Sequence, residues 1–244
     1  MGAGARLVSL DENRPGGNAR WPRIESLPSP APGAQLWWCP LRATPAEVCS
    51  WSAVLSPAEQ TRAARFGTPL LRTRYVIGRT AMRSVLANLL GMQPAQVPIT
   101  RGVRGRPRLE GNDRIDFNVS HTGDAALLGV TDDGRIGVDV ERAGRTINAD
   151  GISRKFLTDN ERALLAKMDA DAARRMVLTL WTCKEAMSKA TGDALSAPFA
   201  HIDVELRAGR LLRDGPDPYA PHDWSLHAAQ VPDGYIATVA LWRR

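Results

Sequence analysis

Aromatic residues and cysteines are scarce in this chain, and long apolar runs are missing. Only 6% of its 244 residues are aromatic, which disfavours a nucleic-acid surface built from stacked aromatic platforms. The cysteines, Cys39, Cys49 and Cys183, are odd in number and lack metal-ligand spacing, so we expect a reducing compartment. No apolar run is long enough to cross a membrane, and the N-terminus lacks the apolar stretch of a signal peptide. We therefore expect a cytoplasmic protein with no membrane partner.

Positive charge is in excess. The formal net charge is +6 and the sequence pI is about 9.7. Such a balance favours an anionic partner, which could be nucleic acid, a phosphorylated small molecule or an acidic protein. The alternative is that arginine is simply abundant and forms no functional patch.

The order of predicted elements indicates an α+β fold. Residues 1–33 are rich in Gly, Pro and Arg and read as a flexible leader. Capping boxes at Ser56–Glu59 and Thr158–Glu161 predict helix starts, and long helices are predicted over residues 68–90 and 171–191. Strands are predicted at 35–39, 116–120, 125–131, 135–141, 202–206, 224–228 and 235–241, with a hairpin turn at 132–134. Each half carries one long helix and about three strands, so we expect two similar lobes, residues 34–134 and 135–244.

Two acidic motifs carry the chemistry. Asp139 and Glu141 alternate with Val138 and Val140, which puts both carboxylates on one face of a strand. Glu185 and Lys189 share a helix face because they are four residues apart. If the strand and helix pack together, three carboxylates and a lysine converge. Hard oxygen ligands of this kind suit Mg²⁺, so the motifs predict metal-assisted phosphoryl chemistry.

Basic and polar residues precede the acidic strand. Arg101, Arg104 and Arg106 lie in a glycine-rich loop, where the backbone can approach a phosphate while the guanidinium groups clamp it. Ser120 and His121 add a hydroxyl and an imidazole at a strand end. A lone histidine in a strand is usually structural, but the surrounding charged motifs favour a ligand contact here.

Four motifs in order resemble the surfactin-type 4′-phosphopantetheinyl transferases. They are Gly105-Arg106-Pro107, Phe117-Asn118-x-Ser120-His121, Gly137-x-Asp139-x-Glu141 and Trp181-x-x-Lys184-Glu185-Ala186-x-x-Lys189. The resemblance covers roughly residues 55–192. It implies two pseudo-symmetric lobes, each an antiparallel sheet packed with a long helix, with coenzyme A bound between them. It also implies Mg²⁺-dependent transfer of phosphopantetheine to a serine of an apo acyl or peptidyl carrier protein, with release of 3′,5′-ADP.

The resemblance also assigns roles to individual residues. It implies Asp139, Glu141 and Glu185 as metal ligands and Lys189 near the reacting phosphate. It places the following in coenzyme A binding: Arg62 at the 3′-phosphate, Arg101, Arg104 and Arg106 at the nucleotide, and Asn118, Ser120 and His121 at the phosphates. Glu161 matches a proposed general base, although it is equally explained as an ordinary capping-box residue, and Glu185 or metal-bound water could serve instead. Two departures are Arg106, where lysine is commoner, and Glu59, where some members carry a phosphate-binding lysine.

Two other classes of function compete with this one. A basic nucleic-acid-binding protein is disfavoured by the scarcity of aromatic residues, and an inactive carrier-binding module is disfavoured by the intact acidic triad. For the transferase, Lys184 and Arg154 are candidate docking charges for an acidic carrier, with Met187 as an apolar alternative. Two lobes in one chain lead us to expect a monomer. The sequence leaves the carrier open among fatty-acid, polyketide and peptide synthesis.

Overall fold

The computed structural model describes residues 21–102, 104–206 and 209–243. Its helices are α1 (Pro45–Ser52), α2 (Pro57–Ala64), α3 (Pro69–Leu90), α4 (Ala149–Phe156), α5 (Asp159–Leu165) and α6 (Ala170–Thr191). Its strands are β1 (Glu25–Leu27), β2 (Ala34–Pro40), β3 (Ile99–Arg101), β4 (Pro107–Leu109), β5 (Asp116–Thr122), β6 (Ala125–Thr131), β7 (Arg135–Arg142), β8 (Asp203–Glu205), β9 (Leu211–Asp214), β10 (Trp224–Ala228) and β11 (Tyr235–Trp242). Within these ranges no helix is both long and apolar enough to span a membrane.

Local sequence signals set the ends of the long helices. The side chain of Thr68 caps α3, with Pro69 in the first turn, and Asp169 caps α6. Both helices end at a glycine in the left-handed conformation, Gly91 at φ 66° and Gly192 at φ 86°. The predicted long helices are therefore confirmed, as are the capping boxes at Ser56 and Thr158.

The chain divides into two compact units, of which one is built on Cys39–Pro98 and contains α1, α2 and α3. A buried charge cluster joins its helices. Glu59 is 6% exposed and accepts hydrogen bonds from Arg79 Nε at 2.8 Å and Arg83 Nε at 2.7 Å. Arg83, itself 2% exposed, donates onward to the carbonyl of Pro94 at 2.9 Å. Glu59 thus stabilises this unit.

The second unit, Glu25–Trp38 and Ile99–Arg244, holds the sheets. One sheet has the order β1-β2-β6-β5 and another has the order β10-β11-β7; β3-β4 and β8-β9 are hairpins. Residues of both larger sheets share one apolar core, which includes Leu36, Leu127, Val138 and Val239. A second core lies under α6. Antiparallel strands with separate helices confirm the α+β class.

The structure differs from two predictions about local organisation. The leader was expected to run to residue 33, but β1 begins at Glu25 and pairs with β2; residues 1–20 lie outside the described ranges. The turn at 132–134 does not close a hairpin, because β6 and β7 belong to different sheets. The division into lobes 34–134 and 135–244 stays a prediction. Pseudo-symmetry of the lobes stays a prediction.

Candidate active site

Strand β7 presents its acidic face to helix α6. Ile136, Val138 and Val140 point into the shared core, so the alternate residues Gly137, Asp139 and Glu141 face the other way. At Gly137 the helix comes so close that an added Cβ would lie 1.8 Å from the carbonyl oxygen of Ala186. The missing side chain thus allows α6 to lie against β7. This contact brings Glu185 and Lys189 beside Asp139.

Strand β5 is joined to β7 by side chains. Three alternate residues of β5 accept hydrogen bonds from three alternate backbone N–H groups of β7: Asp116 from Ile136 at 2.8 Å, Asn118 from Val138 at 3.0 Å and Ser120 from Val140 at 3.4 Å. Asn118 is 6% exposed. The Oδ1 atom of Asn118 is therefore engaged in holding the strands together, and the contact of Asn118 with a phosphate stays a prediction.

Lys189 and Asp139 form the centre of the site. Lys189 Nζ lies 2.5 Å from Asp139 Oδ1, 2.9 Å from Ser120 Oγ and 3.3 Å from the carbonyl oxygen of Val138. Ser120 Oγ in turn donates to Asp139 Oδ1 at 2.9 Å. The other carboxylate oxygen, Asp139 Oδ2, is buried and has no hydrogen-bond partner among the residues described.

Two further carboxylates adjoin this pair. Glu141 accepts a hydrogen bond from Thr122 Oγ1 at 2.9 Å and forms an ion pair with Arg145. Glu185 is half-buried. Burial raises the pKa of Glu185, and the carboxylates of Asp139 and Glu141 add to this effect while Lys189 opposes it.

These groups line a cavity of about 360 Å³ within the second unit. The polar residues that line it are Ser120, His121, Asp139, Glu141, Arg145, Glu185 and Lys189. The apolar residues that line it are Val119, Val140, Ile147, Ile152, Leu178 and Trp181. Trp181 packs 4.9 Å from Phe156, measured between ring centroids, and also lines the cavity.

His121 reaches the same cavity from the end of β5. Its side chain is exposed. Desolvation by the surrounding protein lowers the pKa of His121, Lys189 lowers it further, and Asp139 opposes both. A neutral imidazole at this position can donate or accept a hydrogen bond.

The donor set suits a divalent cation. Across the described ranges no group of three or more His, Cys, Asp or Glu side chains is arranged to hold a metal ion. Instead, Asp139 and Glu141 are engaged with Lys189 and Arg145. Asp139 Oδ2 is nevertheless a buried hard oxygen atom that accepts no hydrogen bond from the residues described. The carboxylate of Glu185 lies close enough to interact electrostatically with Asp139. The residues present therefore fit Mg²⁺ by their chemistry.

Glu161 lies elsewhere and acts structurally. It is 3% exposed, and its oxygens accept from Lys184 Nζ at 2.6 Å, Val204 N at 3.0 Å and Thr158 N at 2.9 Å. Burial raises the pKa of Glu161 and lowers that of Lys184. The capping-box interpretation of Glu161 holds, and the geometry does not support a general base here.

Two of the expected carrier-docking residues are buried. Lys184 and Met187 are both 0% exposed. Lys184 also donates to the carbonyl groups of Phe156 and Phe199, at 2.9 and 2.8 Å. Neither side chain is therefore available on the surface, whereas Arg154 is exposed.

The predicted nucleotide-binding arginines differ in their surroundings. Arg62 belongs to the first unit, is exposed, and lies 5.8 Å from the ring centroid of Tyr75. Arg101 is exposed and donates to the carbonyl of Gly105, and Arg104 forms an ion pair with Asp193. Arg106 is only 9% exposed in its side chain, and its guanidinium is bound by Asp116 and by two backbone carbonyls. An accessible guanidinium is therefore found at Arg62, Arg101 and Arg104 but not at Arg106.

Sequence reasoning missed Thr122 and Arg145. Thr122 continues the period-two series of β5 that contains Asn118 and Ser120, so the alternation could have indicated it. Arg145 follows Glu141 by four residues beyond the strand end, and no regular pattern points to it.

Comparison with known proteins defines the class. A family model described as the 4′-phosphopantetheinyl transferase superfamily matches residues 135–240, and one described as 4′-phosphopantetheinyl transferase, N-terminal, matches residues 37–132. The chain belongs to this superfamily and is accordingly a transferase.

Individual relatives agree with that placement. The chain is 33% identical to the 4′-phosphopantetheinyl transferase HetI of Nostoc over 211 residues, covering 84% of this chain and 86% of the relative. It is 29% identical to the 4′-phosphopantetheinyl transferase ffp of Bacillus subtilis, covering 70% and 74%. A crystal structure of a Bacillus anthracis holo-(acyl-carrier-protein) synthase with CoA (3′,5′-ADP) aligns with 45% of this chain and 96% of its own, at 23% identity and a TM-score of 0.36.

Proposed function

We propose that this chain transfers the 4′-phosphopantetheine group of coenzyme A to a serine of an apo acyl or peptidyl carrier protein, in a Mg²⁺-dependent reaction that releases 3′,5′-ADP. The observation that carries the proposal is the convergence of Asp139, Glu185 and Lys189 in one cavity. Membership in the superfamily supports the transferred group, and the acidic and basic side chains support phosphoryl chemistry.

Lys189 supplies positive charge where the phosphates would react. Its ammonium group is held by Asp139 and Ser120 and lines the cavity. In phosphoryl transfer the protein mainly positions groups and stabilises charge that spreads over the phosphate oxygens. The ammonium group of Lys189, held by two side chains, is therefore already positioned to stabilise that negative charge.

Asp139, Glu141 and Glu185 would hold the metal. A bound Mg²⁺ supplies Lewis-acid stabilisation of charge on the phosphates. Asp139 offers the unpartnered Oδ2, while Glu141 stays oriented by Thr122. Arg145, paired with Glu141, keeps that carboxylate neutralised when no cation is bound.

Glu185 is the carboxylate best placed to accept the proton of the carrier serine. It lines the cavity and is only half-buried, so the hydroxyl group of an incoming serine can reach it. The burial of Glu161 against Lys184 disfavours Glu161 for this role.

Coenzyme A recognition is assigned to side chains that remain accessible. We assign the 3′-phosphate to Arg62, the nucleotide end to Arg101 and Arg104, and the phosphates to His121 and Lys189. Apolar residues that line the cavity, among them Ile152 and Trp181, supply surface for an uncharged part of a substrate. We further propose a cytoplasmic monomer; the three free cysteines, Cys39, Cys49 and Cys183, are consistent with a reducing compartment.

Mass spectrometry of apo carrier proteins tests the proposal. We expect carriers incubated with the protein, coenzyme A and Mg²⁺ to gain one phosphopantetheine group, and chelation to stop the reaction. Asp139→Asn and Glu185→Gln should each lower the rate about a hundredfold or more, because each removes charge from the metal-binding set. Glu110→Gln, which changes an exposed glutamate, is the matched control.

The result also separates the alternatives. A carrier that binds but stays unmodified would indicate an inactive binding module and would overturn the proposal. Full activity of Asp139→Asn would overturn the metal assignment alone.

A further inference from the structure

Arg106 connects three elements around the site, although it lies outside the cavity. Its Nη1 and Nη2 donate to the two oxygens of Asp116, both at 2.6 Å. Nη2 also donates to the carbonyl of Ile136 at 2.6 Å, and Nε donates to the carbonyl of Lys189 at 2.7 Å. One guanidinium group thus joins β5, β7 and the last turn of α6.

The contact with Lys189 is a helix cap supplied from outside the helix. The last carbonyl groups of a helix lack partners within it, and a cation there also interacts favourably with the helix dipole. Because α6 ends at Thr191, the carbonyl of Lys189 lies in that last turn. Arg106 therefore fixes the backbone of the residue whose side chain reaches Asp139.

The contacts with β7 fix the other half of the site. Asp116 accepts from the backbone N–H of Ile136 at 2.8 Å, while Arg106 donates to the carbonyl of the same residue. Ile136 lies three residues before Asp139 on the same strand. Together, Arg106 and Asp116 hold the strand that carries Asp139 against the helix end that carries Lys189.

We infer that Arg106 is a positioning residue of the proposed transfer site, acting through Lys189 and Asp139, and is not a contact to coenzyme A. The inference rests on the proposed function. Four of the five N–H groups of the guanidinium are engaged. One N–H group is left, so a phosphate could be held by the bidentate fork only by displacing Asp116. The planar fork also explains the presence of arginine, since a lysine ammonium cannot pair with a carboxylate in this bidentate way.

Steady-state kinetics distinguish positioning from substrate binding. Arg106→Lys keeps the charge but loses the fork. We expect kcat to fall about tenfold with the KM for coenzyme A changed less than about threefold, because a small displacement of reacting groups slows the chemical step. Asp116→Asn should lower kcat by a similar factor with a similarly small change in KM. The double variant should lose no more kcat than either single variant, because both substitutions remove the same interaction. Arg108→Lys, at an exposed position of the same hairpin, is the silent control.

Arg101→Ala serves as the contrasting variant, since it should change the KM for coenzyme A more than kcat. Arg101 is exposed and should act in nucleotide binding, so its loss should raise the KM for coenzyme A more than it lowers kcat. If Arg106→Lys and Asp116→Asn instead weaken coenzyme A binding, measured by calorimetry without carrier, about tenfold or more while kcat is retained, Arg106 is a substrate contact and the inference fails.

A second measurement does not depend on activity. In folded Arg106→Lys, we expect amide hydrogen exchange in residues 188–192 to be about tenfold faster than in Arg108→Lys, because the helix end has lost its cap. Unchanged exchange there would overturn the inference. If the wild-type protein modifies no carrier at all, the proposed function fails, whereas the exchange experiment still decides whether Arg106 holds α6 in place.

Discussion

Gly137 of strand β7 and Ala186 of helix α6 are in direct backbone contact, with no room for a side chain between them. A Cβ atom on Gly137 would lie 1.8 Å from the carbonyl oxygen of Ala186 and 2.8 Å from the backbone nitrogen of Ala190. Both obstacles are backbone atoms, which cannot rotate away. The approach of strand and helix, and with it the distance between Asp139 and Lys189, depends on this glycine.

Gly137→Ala should therefore impair both stability and activity. Overpacking of this kind costs about 1–3 kcal/mol, so the midpoint of denaturant unfolding should fall. The helix must move, so kcat should drop by about tenfold or more even where the protein is fully folded. Gly144→Ala, with no heavy atom within 4 Å of the added Cβ, is the control. A Gly137→Ala enzyme with unchanged kcat would show that the close approach does not set the site.

The buried pair Lys184–Glu161 should contribute to stability and leave the chemical step unchanged. Removing one partner leaves an uncompensated buried charge, so Glu161→Gln and Lys184→Met should each cost about 3–5 kcal/mol. The double variant should recover much of that loss, because no lone charge remains. Unfolding midpoints of the four proteins measure the coupling. A kcat reduced more than a hundredfold in well-folded Glu161→Gln would instead restore Glu161 as a catalytic base.

The charge cluster of the first unit should make its stability sensitive to acid. Burial alone would raise the pKa of Glu59, but Arg79 and Arg83 outweigh it and hold that pKa below its ordinary value. A lowered folded pKa gives stability that is present above the unfolded value, about 4.3, and is lost as the pH falls through the folded pKa.

Thermal unfolding between about pH 6 and pH 3 tests this dependence. The melting temperature should fall more steeply in the wild-type protein than in Glu59→Gln, which has already lost the charge. Parallel curves for the two proteins would show that Glu59 does not provide the acid-sensitive interaction.

Arg62 should recognise the 3′-phosphate of coenzyme A. Its guanidinium is exposed beside Tyr75, and a charge-assisted contact to phosphate contributes about 1.5–3 kcal/mol. Arg62→Ala should raise the KM for coenzyme A by about tenfold or more and leave the KM for 3′-dephospho-coenzyme A nearly unchanged. Equal losses with both donors would assign the 3′-phosphate to another residue.

Local signals made several elements predictable. Thr68, Gly91 and Gly192 mark helix ends through capping and left-handed backbone, and both kinds of signal act within a few residues. The alternation around Asp139 and the four-residue spacing of Glu185 and Lys189 likewise express strand and helix periods. The face of each element could therefore be predicted before its partner was known.

Long-range pairings could not be predicted in this way. The sequence shows that Arg106, Lys184 and Glu161 are charged, but their burial depends on which distant residue lies opposite. The turn at 132–134 has hairpin chemistry, yet β7 pairs with β11 on one edge. Side chains of β5 accept hydrogen bonds along its other edge, and β6 does not pair with it. These long-range pairings depend on tertiary packing, which no local sequence pattern specifies.

The rate of phosphopantetheine transfer by Lys189→Met tests the central claim most directly. The variant keeps a long unbranched side chain but lacks the ammonium group that lies 2.5 Å from Asp139 Oδ1. At saturating coenzyme A and carrier protein, with folding checked by thermal unfolding, we expect the rate of carrier modification to fall by about a hundredfold or more, because charge stabilisation of the transition state is lost. A rate within about twofold of the wild-type protein would contradict the assignment of this cavity as the transfer site.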